Sequence, residues 1–115
     1  LDDRIGDAQD GGYVLCKNFI QNSEALLNFG VEGRDLFGCH LTSKYTKIWN
    51  YQYDCTNSTQ PLCITNENKN VFSSICVGEI SEMTLRKTFY SFEDIIKSRD
   101  LKGKRITLKI DVEGG

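Results

Sequence analysis

The segment that most constrains this chain is residues 26–35, Leu-Leu-Asn-Phe-Gly-Val-Glu-Gly-Arg-Asp, where an apolar run gives way to two glycines and then to a helix-start signal. It reads as strand, turn, helix. Gly30 and Gly33 lack a Cβ, so each can take a positive φ and let the backbone approach a ligand closely, and Asp35 can cap the helix that follows. This is the local architecture of a nucleotide-binding turn in an open α/β sheet, although it falls short of a full G-x-G-x-x-G.

The flanking segments extend the pattern. Asp10-Gly11-Gly12 ahead of the apolar residues 13–16 reads as a turn entering a short strand, which predicts a small N-terminal hairpin and lead-in over residues 1–24. Residues 25–29 form the first core strand, with four apolar residues of five, as expected when both sheet faces are covered. Leu36, Phe37, Cys39 and His40 predict a short helix that turns Leu36 and Phe37 to the sheet, although Gly38 weakens it. Residues 48–53 predict a second strand ending at Asp54, and residues 55–70 a polar loop. Residues 71–77 predict a third strand closed by Gly78, and residues 83–90 a short edge strand. Ser91 is a cap, Glu93 and Asp94 an acidic first turn, and Phe92, Ile95, Ile96 and Leu101 the apolar side of a second helix. Gly103 ends it, and residues 106–112 predict a fourth strand. Strands alternating with helical or irregular connections favour a parallel sheet over an all-β arrangement.

Composition narrows the class. The chain has 115 residues, 26% of them charged, a net charge of −2 and a single Pro, which suits one globular domain or part of one. The absence of an initiator Met and the stop at Asp-Val-Glu-Gly-Gly straight after a strand predict the N-terminal part of a larger domain. No signal peptide is visible, and no apolar run is long enough to span a membrane. The 14 Lys and Arg are spread thinly; Lys97, Lys104 and Arg105, interrupted by Asp100, read as a solvated helix end and loop, so no nucleic-acid groove is expected.

Five cysteines without C-x-x-C spacing, beside one His, do not predict a zinc site. Cys76 lies in an apolar run and reads as a small buried hydrophobe. Cys55 and Cys63 flank the polar loop and can be bridged in an oxidising compartment, and Asn57-Ser58-Thr59 within it is a glycosylation acceptor sequence. Together these favour the secretory pathway over the cytoplasm, while the odd cysteine count also fits free thiols.

In a parallel sheet the carboxyl ends of the strands share one edge, where the crevice at the strand-order switch takes ligands. Three such ends carry glycines or acids: residues 29–33, Tyr53-Asp54, and residues 110–114. Asp54 stands 24 positions beyond Gly30, a loose fit to the spacing of about 20 at which a carboxylate binds ribose hydroxyls. Taken alone, Asp54, Asp111 and Glu113 also fit solvated strand termini or turn formers. His40 reads as a helix-surface residue, and Trp49, Tyr51 and Tyr53 as sheet residues packing against their neighbours.

Four elements in order carry a resemblance: Asp-Gly-Gly-Tyr-Val at residues 10–14, the first turn at residues 28–33, Tyr53-Asp54, and Lys-Ile-Asp-Val-Glu-Gly at residues 109–114. Over nearly its whole length the chain resembles the S-adenosylmethionine-dependent methyltransferase superfamily, in particular its FkbM-like and methyltransferase-like group. The resemblance implies a Rossmann-like, mostly parallel sheet with flanking helices, incomplete at the C-terminus, over residues 25–115. It implies S-adenosylmethionine as cofactor and O-methylation of a small molecule or glycan. Gly30, Val31, Glu32 and Gly33 would surround the methionine and ribose, Asp54 would bind the ribose hydroxyls, and Gly78 and Glu79 would lie near the adenine. Asp10 and Tyr13, with Gly11 and Gly12, would form a flap, and Asp111 and Glu113 would face the reacting methyl or the acceptor. Asn28 and Glu32 depart from the group's pattern, Glu32 by standing where glycine is common. A metal is not expected, since two carboxylates make a minimal site. The competing readings are a methyltransferase-like interaction or ectodomain protein without catalysis and, disfavoured by the missing third glycine, a nicotinamide-dependent oxidoreductase.

Overall fold

The structure, a computed structural model, describes residues 2–5, 13–16, 20, 22–31, 33–56, 59–63 and 69–110. The chain forms an α/β fold around a four-stranded parallel sheet. In chain order come β1 (Asp2–Ile5), β2 (Tyr13–Cys16), β3 (Ala25–Phe29), α1 (Leu36–Lys44), β4 (Trp49–Tyr53), β5 (Asn70–Ser73), β6 (Cys76–Gly78), β7 (Glu82–Met83), β8 (Thr88–Ser91), α2 (Phe92–Ser98) and β9 (Ile106–Ile110). As the sequence predicts, β1 and β2 pair antiparallel. The main sheet runs β5-β4-β3-β9 with every pairing parallel. The chain therefore steps outward from β3 through β4 to β5, then returns to the other side of β3, which creates a strand-order switch at β3 and β9.

All five residues of β3 are buried, because helices cover both faces. On one face Leu26 and Ile48 pack with Phe37 and Leu41 of α1 and with Ile20. On the other, Ala25, Leu27, Phe29 and Tyr53 pack with Ile95 of α2 and with Leu101. The caps explain where the helices start. The Asp35 side chain accepts from Gly38 N at 2.8 Å, and the Ser91 hydroxyl accepts from Asp94 N at 3.1 Å. Glu93 and Asp94 then lie in the first turn of α2, where the helix dipole favours negative charge. Phe92 differs from expectation: it is 44% exposed, while Ile95, three residues on, is buried in the core.

Two corrections concern the segment after β4. The predicted third strand at residues 71–77 is two strands. β5 stops at Ser73, where Ile75 N turns back to the Ser73 carbonyl at 3.0 Å. β6 then joins a separate sheet of order β6-β8-β7, and the predicted edge strand at 83–90 is the β7–β8 hairpin of that sheet. The cysteine pairing also differs. Cys39 of α1 bonds Cys63, and Cys55 bonds Cys76, so Cys76 is not a free hydrophobe and Cys55 does not pair with Cys63. Cys55 follows β4 and Cys76 opens β6, so their bridge holds the second sheet against the end of the first. Loop spacing cannot choose among the pairings that four cysteines allow.

Candidate functional site

Register brings the strand ends together. Phe29 pairs with Tyr53 and with Ile110, and Tyr53 pairs with Ser73, so four carboxyl ends form one row. Gly30 and Asp54 are the next residues of their strands. Gly30 N donates to the Tyr53 carbonyl at 2.8 Å, and Asp54 N to the Ser73 carbonyl at 3.3 Å.

The turn after β3 needs its glycines. Gly30 has φ 85° and Gly33 φ 79°, the left-handed region in which a Cβ is strained. Between them Val31 is buried and its carbonyl accepts from Arg34 N at 2.9 Å, which directs the chain into α1. Beside this turn opens a cleft of about 560 Å³ lined by Gly33, Arg34, Asp35, His40, Thr59 and Leu62 among others, with the Cys39–Cys63 bridge tying its two walls. His40 is exposed on α1, as expected.

Asp35 does more than cap. Its carboxylate, 5% exposed, accepts from Asn28 Nδ2 at 2.9 Å, Gly38 N at 2.8 Å, Asn50 Nδ2 at 2.8 Å and Gln52 Nε2 at 2.7 Å. Asn50 Nδ2 also donates to Asn70 Oδ1 at 2.7 Å, so the network crosses β3, β4 and β5 beneath α1. Two acceptors in it, Asn28 Oδ1 and Gln52 Oε1, are buried without a hydrogen-bond partner. They sit on directly paired residues, one position inside the sheet edge. Orphaned buried acceptors are uncommon, and both residues are fully buried beneath α1, so neither oxygen opens on the crevice.

Asp54 is 3% exposed, and its Oδ1 accepts from Thr56 N at 2.8 Å and from Thr56 Oγ1 at 3.0 Å, closing a turn on itself. Gly78 ends β6 in the second sheet, and Glu79 follows it, rather than standing at the edge of the first sheet. Asp10, Glu32, Asp111 and Glu113 lie outside the described residues, as do Asn57 and Ser58 of the glycosylation sequence, and Tyr13 opens β2. Among the described residues no three His, Cys, Asp or Glu side chains cluster as metal ligands, and no helix is long and apolar enough to cross a membrane.

Sequence reasoning found the glycine turn and the Asp35 cap but missed Asn50, Gln52 and Asn70. For Asn50 and Gln52 the signal was present as polar amides two apart in a strand otherwise rich in aromatics. Compared with protein families, with curated proteins and with solved structures, the chain matches none.

Proposed function

We propose that the chain is the cofactor-binding part of a Rossmann-like, S-adenosylmethionine-dependent methyltransferase that acts on a hydroxyl of a small molecule or glycan. The observation that carries this reading is the turn of Gly30 and Gly33, both left-handed, at the strand-order switch, with Asp54 on the neighbouring strand end. The sequence resemblance supplies the identity of the cofactor. The fit is good at the turn, where two left-handed glycines let backbone approach a ligand.

Gly30, Val31, Glu32 and Gly33 would hold the methionine and ribose, Asp54 the ribose hydroxyls, and Asp10 and Tyr13 the flap. When bound, S-adenosylmethionine supplies a methyl group already activated by its sulfonium. The chain's own task is then to orient the acceptor in line and exclude water, with Asp111 or Glu113 taking the acceptor's hydroxyl proton. Titration calorimetry with S-adenosylmethionine and with its demethylated product tests the reading. Binding is expected, and Asp54→Ala should weaken it by about 1–3 kcal/mol, the loss of charge-assisted hydrogen bonds. No heat with either ligand overturns it.

The engagement of Asp54 Oδ1 with Thr56 supports a second reading, a methyltransferase-like protein that serves as an interaction or ectodomain module without catalysis. Two disulfides favour an oxidising compartment under either reading. Cofactor binding without turnover, together with a partner complex unaffected by Asp111→Asn, would select the second.

A further inference from the structure

A second cleft, of about 550 Å³, lies at the opposite end of β4. Trp49 and Tyr51 line it, their rings 6.3 Å apart and 9° from parallel. Cations stand along this row: Lys69 Nζ is 4.3 Å from the Trp49 ring centre, and the Arg99 guanidinium is 4.7 Å from that of Tyr51. Lys47 and Lys104 also line the cleft, against Glu24 as the one acid among its described lining residues. The chain as a whole carries −2, so this concentration of positive charge is local.

Arg99 is fixed without being neutralised. Its Nε donates to the Tyr53 hydroxyl at 3.1 Å and its Nη2 to the Ser73 hydroxyl at 3.0 Å, both uncharged partners. Among the described residues neither it nor Lys47 nor Lys104 is paired with a carboxylate. A guanidinium held in place with donors to spare is preorganised for an oxyanion. Trp49, 37% exposed, adds an apolar edge beside the charge, and the volume is that of a small-ligand site.

We propose that this cleft binds the sulfated sugar units of an acidic polysaccharide. Arg99, Lys47 and Lys104 take the sulfate oxygens, and Trp49 packs on the sugar's C–H surface. The choice of sulfated sugar over nucleic acid rests on the oxidising compartment that the two disulfides favour. This cleft and the one beside Gly33 share none of their described lining residues.

Trp49 is the only tryptophan in the chain, so its emission reports the cleft directly. Titrating the full chain with a heparin-derived hexasaccharide should give a saturable change in that emission, and the fully desulfated hexasaccharide should give none. Lys47→Gln combined with Lys104→Gln should weaken binding about tenfold, while Arg86→Gln combined with Lys87→Gln, an equal charge change in the exposed turn between β7 and β8, should stay within about twofold. An unchanged emission, equal weakening by both double variants, or equal binding of a single-stranded oligonucleotide of the same charge overturns the proposal. Calorimetry with S-adenosylmethionine on the Lys47 and Lys104 variant should be unaltered, which separates failure here from failure of the cofactor reading.

Discussion

Asn50 Nδ2 donates to Asp35 Oδ2 at 2.8 Å while donating its other hydrogen to Asn70 Oδ1 at 2.7 Å, so one side-chain amide links the cap of α1 to two strands of the sheet. Three side-chain amides and one backbone N–H converge on the Asp35 carboxylate, and each loses its acceptor when the carboxylate is removed. Leaving buried donors unpaired costs more than the net value of the bonds. Asp35→Ala should therefore lower stability by about 3–5 kcal/mol, measured by urea denaturation. A loss below about 1 kcal/mol, the value of an ordinary exposed cap, would show that the network does not hold the sheet to the helix.

Gly38 gives a prediction whose sign runs against helix propensity. In a free helix Gly→Ala is favourable by about 1 kcal/mol. Here a Cβ would collide with Asn50 Nδ2 and Asp35 Oδ2 and come within 2.8 Å of the Asp35 Cγ, so the network must shift to admit it. Gly38→Ala should destabilise by about 1–3 kcal/mol, as overpacking does, and should disturb the Asn50 amide resonances in an NMR spectrum. A stabilised variant would mean that the carboxylate is free to move away.

The glycine turn, both helix caps and the alternation of strands with helices were legible in the sequence because each is a local signal spanning few residues. Gly30, Gly33, Asp35 and Ser91 act on their own neighbours along the chain, and all four stand as expected. What was not legible depends on partners far apart. The split of the predicted third strand follows from a turn at Ser73 and a bridge to Cys55. Lys47 and Lys69 read as scattered charges, and Lys104 as part of a solvated helix end and loop, until the fold brings Lys47 and Lys104 into one cleft with Trp49 and sets Lys69 on its ring. Asn50 and Gln52 are polar residues whose burial beneath α1 no local signal announces.

The Cys39–Cys63 bridge closes a loop 24 residues apart in sequence, and Cys55–Cys76 one of 21. Loops of this size are worth about 3 kcal/mol each in the chain-entropy account. Replacing Cys55 and Cys76 by serine should thus lower the urea midpoint markedly. It should also raise hydrogen exchange in β6 and β8, the strands of the second sheet that this bridge ties to the end of β4. Replacing Cys39 and Cys63 should loosen the wall of the cleft beside Gly33 and leave β6 and β8 protected. Identical exchange maps for the two variants would contradict this division of labour.

Tyr53 makes stability depend on alkaline pH. Burial raises its pKa above the usual 10.0; the hydrogen bond from Arg99 and the Arg99 charge pull it down only in part, and Tyr51 adds to the rise. The folded state thus holds the phenol proton more tightly than the unfolded chain. The stability this contributes is intact below pH 10 and is lost as pH rises through the folded-state value, because unfolding then releases the proton. Tyr53→Phe should cost about 0.5–1.5 kcal/mol at neutral pH, through loss of the acceptor for Arg99 Nε, and should flatten the fall in stability above pH 10 relative to the parent chain. Absorbance at the phenolate band on the parent chain should show one tyrosine titrating late, and that step should vanish in the variant. Parallel decline of both proteins above pH 10 would assign the alkaline loss to other groups.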